Sequence, residues 1–218
     1  MTVQAGLFLS SVAFVGTHFL LSHPLRRPLV GIAGAKGFGA LYSMIALITF
    51  GLMIYFYRVI GREPPLWDAG EPGWIAGTLI MWLASILLVG SFFGNPALPG
   101  PRRAIASPTG VFLITRHPMM WSFALWAAVH LLILAMPKAL VFDGAIIILA
   151  LAGAAAQDRK KASQMGEDWH DWSAATAFVP FTRGLAYPGT IAFFGGSLLF
   201  LLATWLHPVP AGIWRWIA

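Results

Sequence analysis

Six stretches of about twenty residues run through this chain almost without charge, at roughly 4–22, 37–57, 74–93, 118–136, 139–157 and 189–206. The hydrocarbon core of a bilayer is about 30 Å thick and takes about 20 apolar residues of helix to cross. Lipid offers the backbone no hydrogen-bonding partner, so runs of this length must satisfy their amides internally, as helices. The expected fold is therefore all-α: a polytopic membrane protein, a six-transmembrane-helix bundle forming one domain over 1–218. Composition agrees. The 218 residues are 58% hydrophobic and 10% charged, with a mean hydropathy of +0.76, whereas a soluble domain carries about 25% charged residues. A water-soluble globule and a disordered chain are both excluded. The chain has no cysteine, which removes disulfides, thiolate nucleophiles, iron–sulfur clusters and covalently attached c-type haem.

The connections carry the helix breakers: His23-Pro24, Glu63-Pro64-Pro65, Asn95-Pro96 through Pro101, Met136-Pro137 and Tyr187-Pro188-Gly189. No basic segment precedes the first run, so it reads as a retained span rather than a cleaved signal peptide. Lys and Arg then set the orientation. The first, third and fifth connections hold Arg26, Arg27, Lys36, Arg102, Arg103, Arg116, Arg159, Lys160, Lys161 and Arg183, ten in all; Arg58, Arg62, Lys138 and Arg215 make four on the other side. Both termini are expected away from the cytoplasm. The net charge of +6 thus reads as a topological signal with affinity for anionic lipid, and nucleic acid is not an expected partner. Residues 158–183, with mixed charges and Trp169, Trp172 and Phe178, read as an amphipathic segment lying on the inner surface. Trp121, Trp169 and Trp172 are expected to anchor that interface. Asp143 is expected to reach outward toward Lys138, and Gly31, Gly34, Gly37 and Gly39 to permit close helix approach.

Ionisable groups within membrane spans are costly and mark candidate sites. His18 lies in the first span and His130 in the fourth. Neutral imidazole is the commonest metal ligand in proteins and holds iron in b-type haems, so the two are candidate haem b ligands, the bland alternative being buried histidines bonded to carbonyls. At 1.5 Å per residue, His18 lies about 8 Å from the inner boundary and His130 about 18 Å. Depth alone pairs His18 better with His117, at the start of the fourth span. His117 and His130, thirteen residues apart on one helix, cannot share an iron. A two-iron arrangement, His18 with His117 and His130 with His207, is a further alternative. Arg116 sits where it could bind a haem propionate or serve topology alone. Asp158-Arg159 closes the fifth span on the same side, in position for an interfacial ion pair.

The ordered pieces His18 with Leu21-Ser22-His23-Pro24 and Arg26, Gly37-Phe38 with Leu41-Tyr42-Ser43, Asn95-Pro96, Thr115-Arg116-His117-Pro118 with Trp121, Leu125-Trp126 with His130, Asp158-Arg159-Lys160 with Gly166 and Trp169, and Pro180-Phe181 resemble the NnrU family of bacterial membrane proteins. That domain also forms 15-cis-ζ-carotene isomerase, and the likeness runs from about residue 12 to 182. The resemblance implies a multi-pass haem b protein of the bacterial inner membrane. It implies His18 and His130 as iron ligands and His117 as a further essential histidine, with Arg116, His117, Tyr42 and Trp126 as cofactor-binding positions. It also implies either redox-dependent isomerisation of a hydrophobic polyene or a role linked to nitric oxide and denitrification, with a respiratory-chain protein as partner. The pattern departs at Ser122, where the family has Gly, and at Ile133-Leu134-Ala135-Met136, which replaces an Asn-Gly-Asp motif. A weaker resemblance, through Arg116-His117-Pro118 and the Gly-x-x-Trp segment, is to S-adenosylmethionine-dependent membrane methyltransferases. Those carry paired glutamates where this chain has Asp158-Arg159. A non-catalytic assembly factor is the third expectation.

Overall fold

A computed structural model describes residues 2–96 and 107–217. Among the described residues the regular elements are all helices: α1 (Val3–Ser22), α2 (Arg26–Val59), α3 (Gly70–Gly90), α4 (Val111–Ile114), α5 (Pro118–Ile133), α6 (Pro137–Met165), α7 (Glu167–Ala175), α8 (Thr190–Trp205) and α9 (Trp214–Ile217). The chain is a multi-pass membrane protein. Helices α1, α2, α3 and α6 are long and apolar enough to cross a bilayer. Large apolar side chains such as Ile32, Leu47, Leu79, Phe194 and Leu198 are exposed, as helices bathed in lipid require. Arg102 and Arg103, two of the ten inner-side charges, lie outside the described residues.

The six-span expectation is corrected to four long candidate spans and two shorter apolar helices, α5 and α8, of 16 residues each. A helix of that length is about 24 Å long, short of a typical hydrocarbon core. The fourth run stops early because Pro137 opens the next helix. A residue before proline is pushed toward extended backbone, so Leu134, Ala135 and Met136 leave the helix. The third run begins earlier than expected, at Gly70. The second begins at Arg26 and is broken inside by Gly34, whose φ of 68° and ψ of 171° suit a residue without Cβ. The fifth continues as helix to Met165, so the segment expected on the inner surface begins as a helical extension. Its α7 is amphipathic, with Glu167, Asp168, His170 and Asp171 exposed. Trp169 and Trp172 are only 2% and 5% exposed, packed with Leu87, Phe112 and Ile114. They are core residues rather than interfacial anchors, because the short helix lays its apolar face on protein.

Two compact units make up the chain, residues 1–68 with 134–149 and residues 69–133 with 150–218. In the first, Leu7, Met53 and Ala145 form the centre, surrounded by Phe14, Phe50, Phe56, Tyr57 and Phe142. The Phe56 ring lies against Gly6, where a Cβ would come within 2.5 Å of it. Lys138 does not reach for Asp143. Its ammonium bonds the Tyr57 and Gly61 carbonyls and lies 4.3 Å from the Tyr57 ring centroid, since carbonyls at a helix C-terminus lack intrahelical donors. The Lys138 amide donates to Glu63 Oε2 at 2.9 Å, a carboxylate at the start of α6 as the helix dipole favours. Asp143 is buried, at 4% exposure.

In the second unit α3 packs against α5 and α8. Trp82 Nε1 donates to Ser197 Oγ at 2.9 Å across the α3–α8 seam. Close approach there comes from Gly196, whose Cβ would meet Ile86 Cα at 2.4 Å; of the α2 glycines, Gly31, Gly34 and Gly39 have nothing within 4 Å and Gly37 meets Ala33 of its own helix. Backbone cannot yield as a side chain can. Gly196→Ala should therefore lower the thermal midpoint of the detergent-solubilised protein, by an overpacking cost of about 1–3 kcal/mol. Gly153→Ala, in open space on α6, should leave it unchanged or raise it by up to about 1 kcal/mol equivalent.

Candidate functional site

Between α4 and α5 the backbone straightens at Thr115 (φ −156°, ψ 145°), and Pro118 restarts the helix, a position where its missing N–H costs nothing. The extended Thr115-Arg116-His117 segment is stitched to residues 176–181 by hydrogen bonds. The Arg116 amide donates to Ala177 O at 2.8 Å, and the Phe181 amide to Ile114 O at 3.1 Å. Thr115 Oγ1 and Trp121 Nε1 both donate to Phe178 O, at 2.7 and 2.8 Å. Asp158 of α6 closes the cluster. Its Oδ2 accepts from Arg116 Nε at 2.9 Å and Nη2 at 2.7 Å, and its Oδ1 from His117 Nε2 at 2.7 Å. Arg116 Nη1 also donates to Thr176 O at 3.2 Å, and the guanidinium lies 5.3 Å from the Phe178 ring centroid. His117 is 3% exposed. One carboxylate thus satisfies three N–H donors from two side chains beside a membrane segment, where unpaired charge is expensive. A guanidinium has five N–H groups; the three used here leave one hydrogen on each terminal nitrogen.

His18 and His130 share a different arrangement. His18 Nδ1 lies 2.7 Å from Phe14 O, and His130 Nδ1 lies 2.8 Å from Trp126 O, each one turn earlier on its own helix. A carbonyl oxygen can only accept, so in each neutral ring Nδ1 carries the proton and Nε2 keeps its lone pair. Metal-ligating histidines are commonly held in this way, through the nitrogen that does not bind the metal. Tyr42 of α2 meets the His18 ring edge-on at 5.4 Å between centroids, and Ser22 Oγ donates to Tyr42 Oη at 3.5 Å. Trp126 lies 4.2 Å from the His130 ring and His207 lies 6.2 Å from it. His130, three residues from the end of α5, is in its last turn and not deep within a longer span.

The candidate residues singled out from sequence thus fall into three neighbourhoods. His18 stands with Tyr42 in the first unit, His130 with Trp126 in the second, and Arg116 with His117 through Asp158, also in the second. The approach of Tyr42 to His18 crosses two helices, and no sequence spacing reports it, whereas Trp126 and His130 are four residues apart and face the same way on any helix. The carbonyls of Thr176, Ala177 and Phe178 have no sequence signature at all. Among the described residues no group of three or more His, Cys, Asp and Glu side chains is placed to hold a metal ion. Removing the carboxylate leaves Arg116 and His117 facing each other, so Asp158→Ala should cost about 3 kcal/mol or more. A double-mutant cycle with Arg116→Ala, read from detergent melts, should give a coupling of about 1–3 kcal/mol.

The chain is similar to the chloroplastic 15-cis-zeta-carotene isomerase of Arabidopsis thaliana, at 29% identity over 163 residues, which are 69% of this chain and 42% of that protein. It thus matches about two fifths of the relative's length. No solved structure matches it. The NnrU protein family matches residues 6–215, nearly the whole length and both compact units. The chain belongs to the NnrU family.

Proposed function

We propose that this protein binds haem b through imidazole, with His18 and His130 as the ligating residues, and that it serves a redox or isomerisation reaction of a hydrophobic substrate in the membrane. The observation that carries the reading is the shared tautomer. Both histidines donate Nδ1–H to a carbonyl one turn back, which leaves Nε2 as a fixed lone pair in an apolar setting. The donor set also fits the group. Haem iron takes neutral imidazole, and there is no cysteine to compete. Similarity to a carotene isomerase supports a long apolar substrate reached from the lipid.

Bound haem would supply an iron whose ligand field and redox state can change, while the protein governs access and polarity. Tyr42 and Trp126 limit the orientations of the two rings. His117 has its Nε2 committed to Asp158 and acts in this reading by orienting that carboxylate and Arg116. The two remaining guanidinium hydrogens of Arg116 are suited to an acidic group such as a propionate. Protein purified in detergent from haem-replete cells should show a Soret band that shifts on reduction. His18→Ala and His130→Ala should each weaken it, while His170→Ala, at an exposed site on α7, should not. A colourless wild-type protein from such cells overturns the reading.

A further inference from the structure

His130 has a second imidazole beside it that the haem reading does not use. His207 follows α8, just before Pro208, and its ring centroid is 6.2 Å from that of His130, with the planes inclined by 49°. Both rings are half-buried. Trp126 packs 4.2 Å from the His130 centroid, and the Trp126 carbonyl holds its Nδ1. His207 Nδ1 lies 3.0 Å from Val209 O and 3.4 Å from Val209 N. The Val209 amide donates to Nδ1 and the Val209 carbonyl stands as an acceptor beside it, so Nδ1 is the ring nitrogen that the backbone engages and Nε2 is left for another partner. Two neighbouring imidazoles are thus anchored by the same nitrogen and present the other.

The separation suits a shared ion. With metal–nitrogen bonds of about 2.0–2.1 Å, and about 1.1 Å from ring centre to nitrogen, two imidazoles on one metal have centroids between about 5.2 Å (tetrahedral angle) and about 6.4 Å (opposed). The observed 6.2 Å lies inside that range. Imidazole suits zinc, copper, nickel and iron, and does not suit magnesium or calcium. We propose that His130 and His207 form a two-imidazole site for a transition metal at the ends of α5 and α8, occupied by a free divalent ion or by the iron of a haem. Both sources need the same nitrogens, and His130 cannot serve both at once. The inference rests on the haem reading only for the second source, since ion binding requires no haem.

The test uses the full chain carrying an affinity tag free of histidine, in a His170→Ala background that removes the exposed imidazole of α7. Haem-free protein is titrated with copper(II) chloride and followed by electron paramagnetic resonance. The expected result is one copper per chain with superhyperfine structure from two nitrogens. His207→Ala should reduce to one nitrogen and weaken binding at least tenfold, and His207→Asn should behave alike while eluting as wild type on gel filtration. Haem-loaded protein forms the second arm. If His207→Ala shifts the Soret band toward a high-spin form, the iron is the metal; an unchanged band together with lost copper binding assigns a free ion. If His207→Ala alters neither copper binding nor the haem spectrum, the site does not exist. A wild-type protein that takes up no haem defeats the haem reading and leaves the copper arm to decide this one.

Discussion

Polar groups beside a bilayer have no water to fall back on, and one carboxylate answers that constraint for a large part of the second unit. Asp158 accepts from Arg116 and His117, and Arg116 reaches on to the Thr176 carbonyl. Through those bonds the start of α5, the end of α6 and the segment after α7 are held as one piece. Arginine is suited to this because its planar fork spans several acceptors at once, which the point charge of lysine cannot do. The burial of Trp169 and Trp172 against Phe112 and Ile114 adds apolar area to the same junction.

The histidines follow the opposite logic. At Asp158 both carboxylate oxygens are engaged by donors of the protein itself, and the cluster has the character of a fastening. At His18 and His130 only one ring nitrogen is consumed, by a carbonyl of the same helix. The other carries the lone pair of the neutral ring. Neither His18 nor His130 is fully buried, and it is this uncommitted nitrogen on which the proposed ligand role rests. That contrast, more than any distance, separates the fastening from the candidate metal ligands.

Much of this was readable in advance. The four long helices are written in their apolar runs, and Met136-Pro137 marks the break between α5 and α6, though not that α5 ends as early as Ile133. The pairing of Trp126 with His130 follows from a spacing of four. Asp158-Arg159 reads as the place of an interfacial ion pair, but nothing in the sequence names Arg116 as the partner of Asp158, shows that His117 shares the carboxylate, or shows that backbone carbonyls at 176–178 complete the cluster. Other parts were not readable. Trp169 and Trp172 have the sequence context of interfacial anchors, and an amphipathic helix looks the same whether its apolar face meets lipid or protein. Lys138 and Asp143 lie five apart on α6, and nothing local shows that the end of α2 offers Lys138 better partners.

What the sequence determined by itself is the solvent and the local geometry. Apolar runs of span length demand helices in a membrane, prolines and glycines say where those helices stop, and residues four apart share a face. The tertiary structure alone decided which carbonyls meet Arg116, that Tyr42 stands against His18, and that His207 stands against His130. The reason is physical. Helical periodicity fixes neighbours within a segment, but contacts between segments depend on how close two helix surfaces can come. In the second unit that is set by the bare backbone of Gly196 against Ile86, a fit that no pattern within either helix contains.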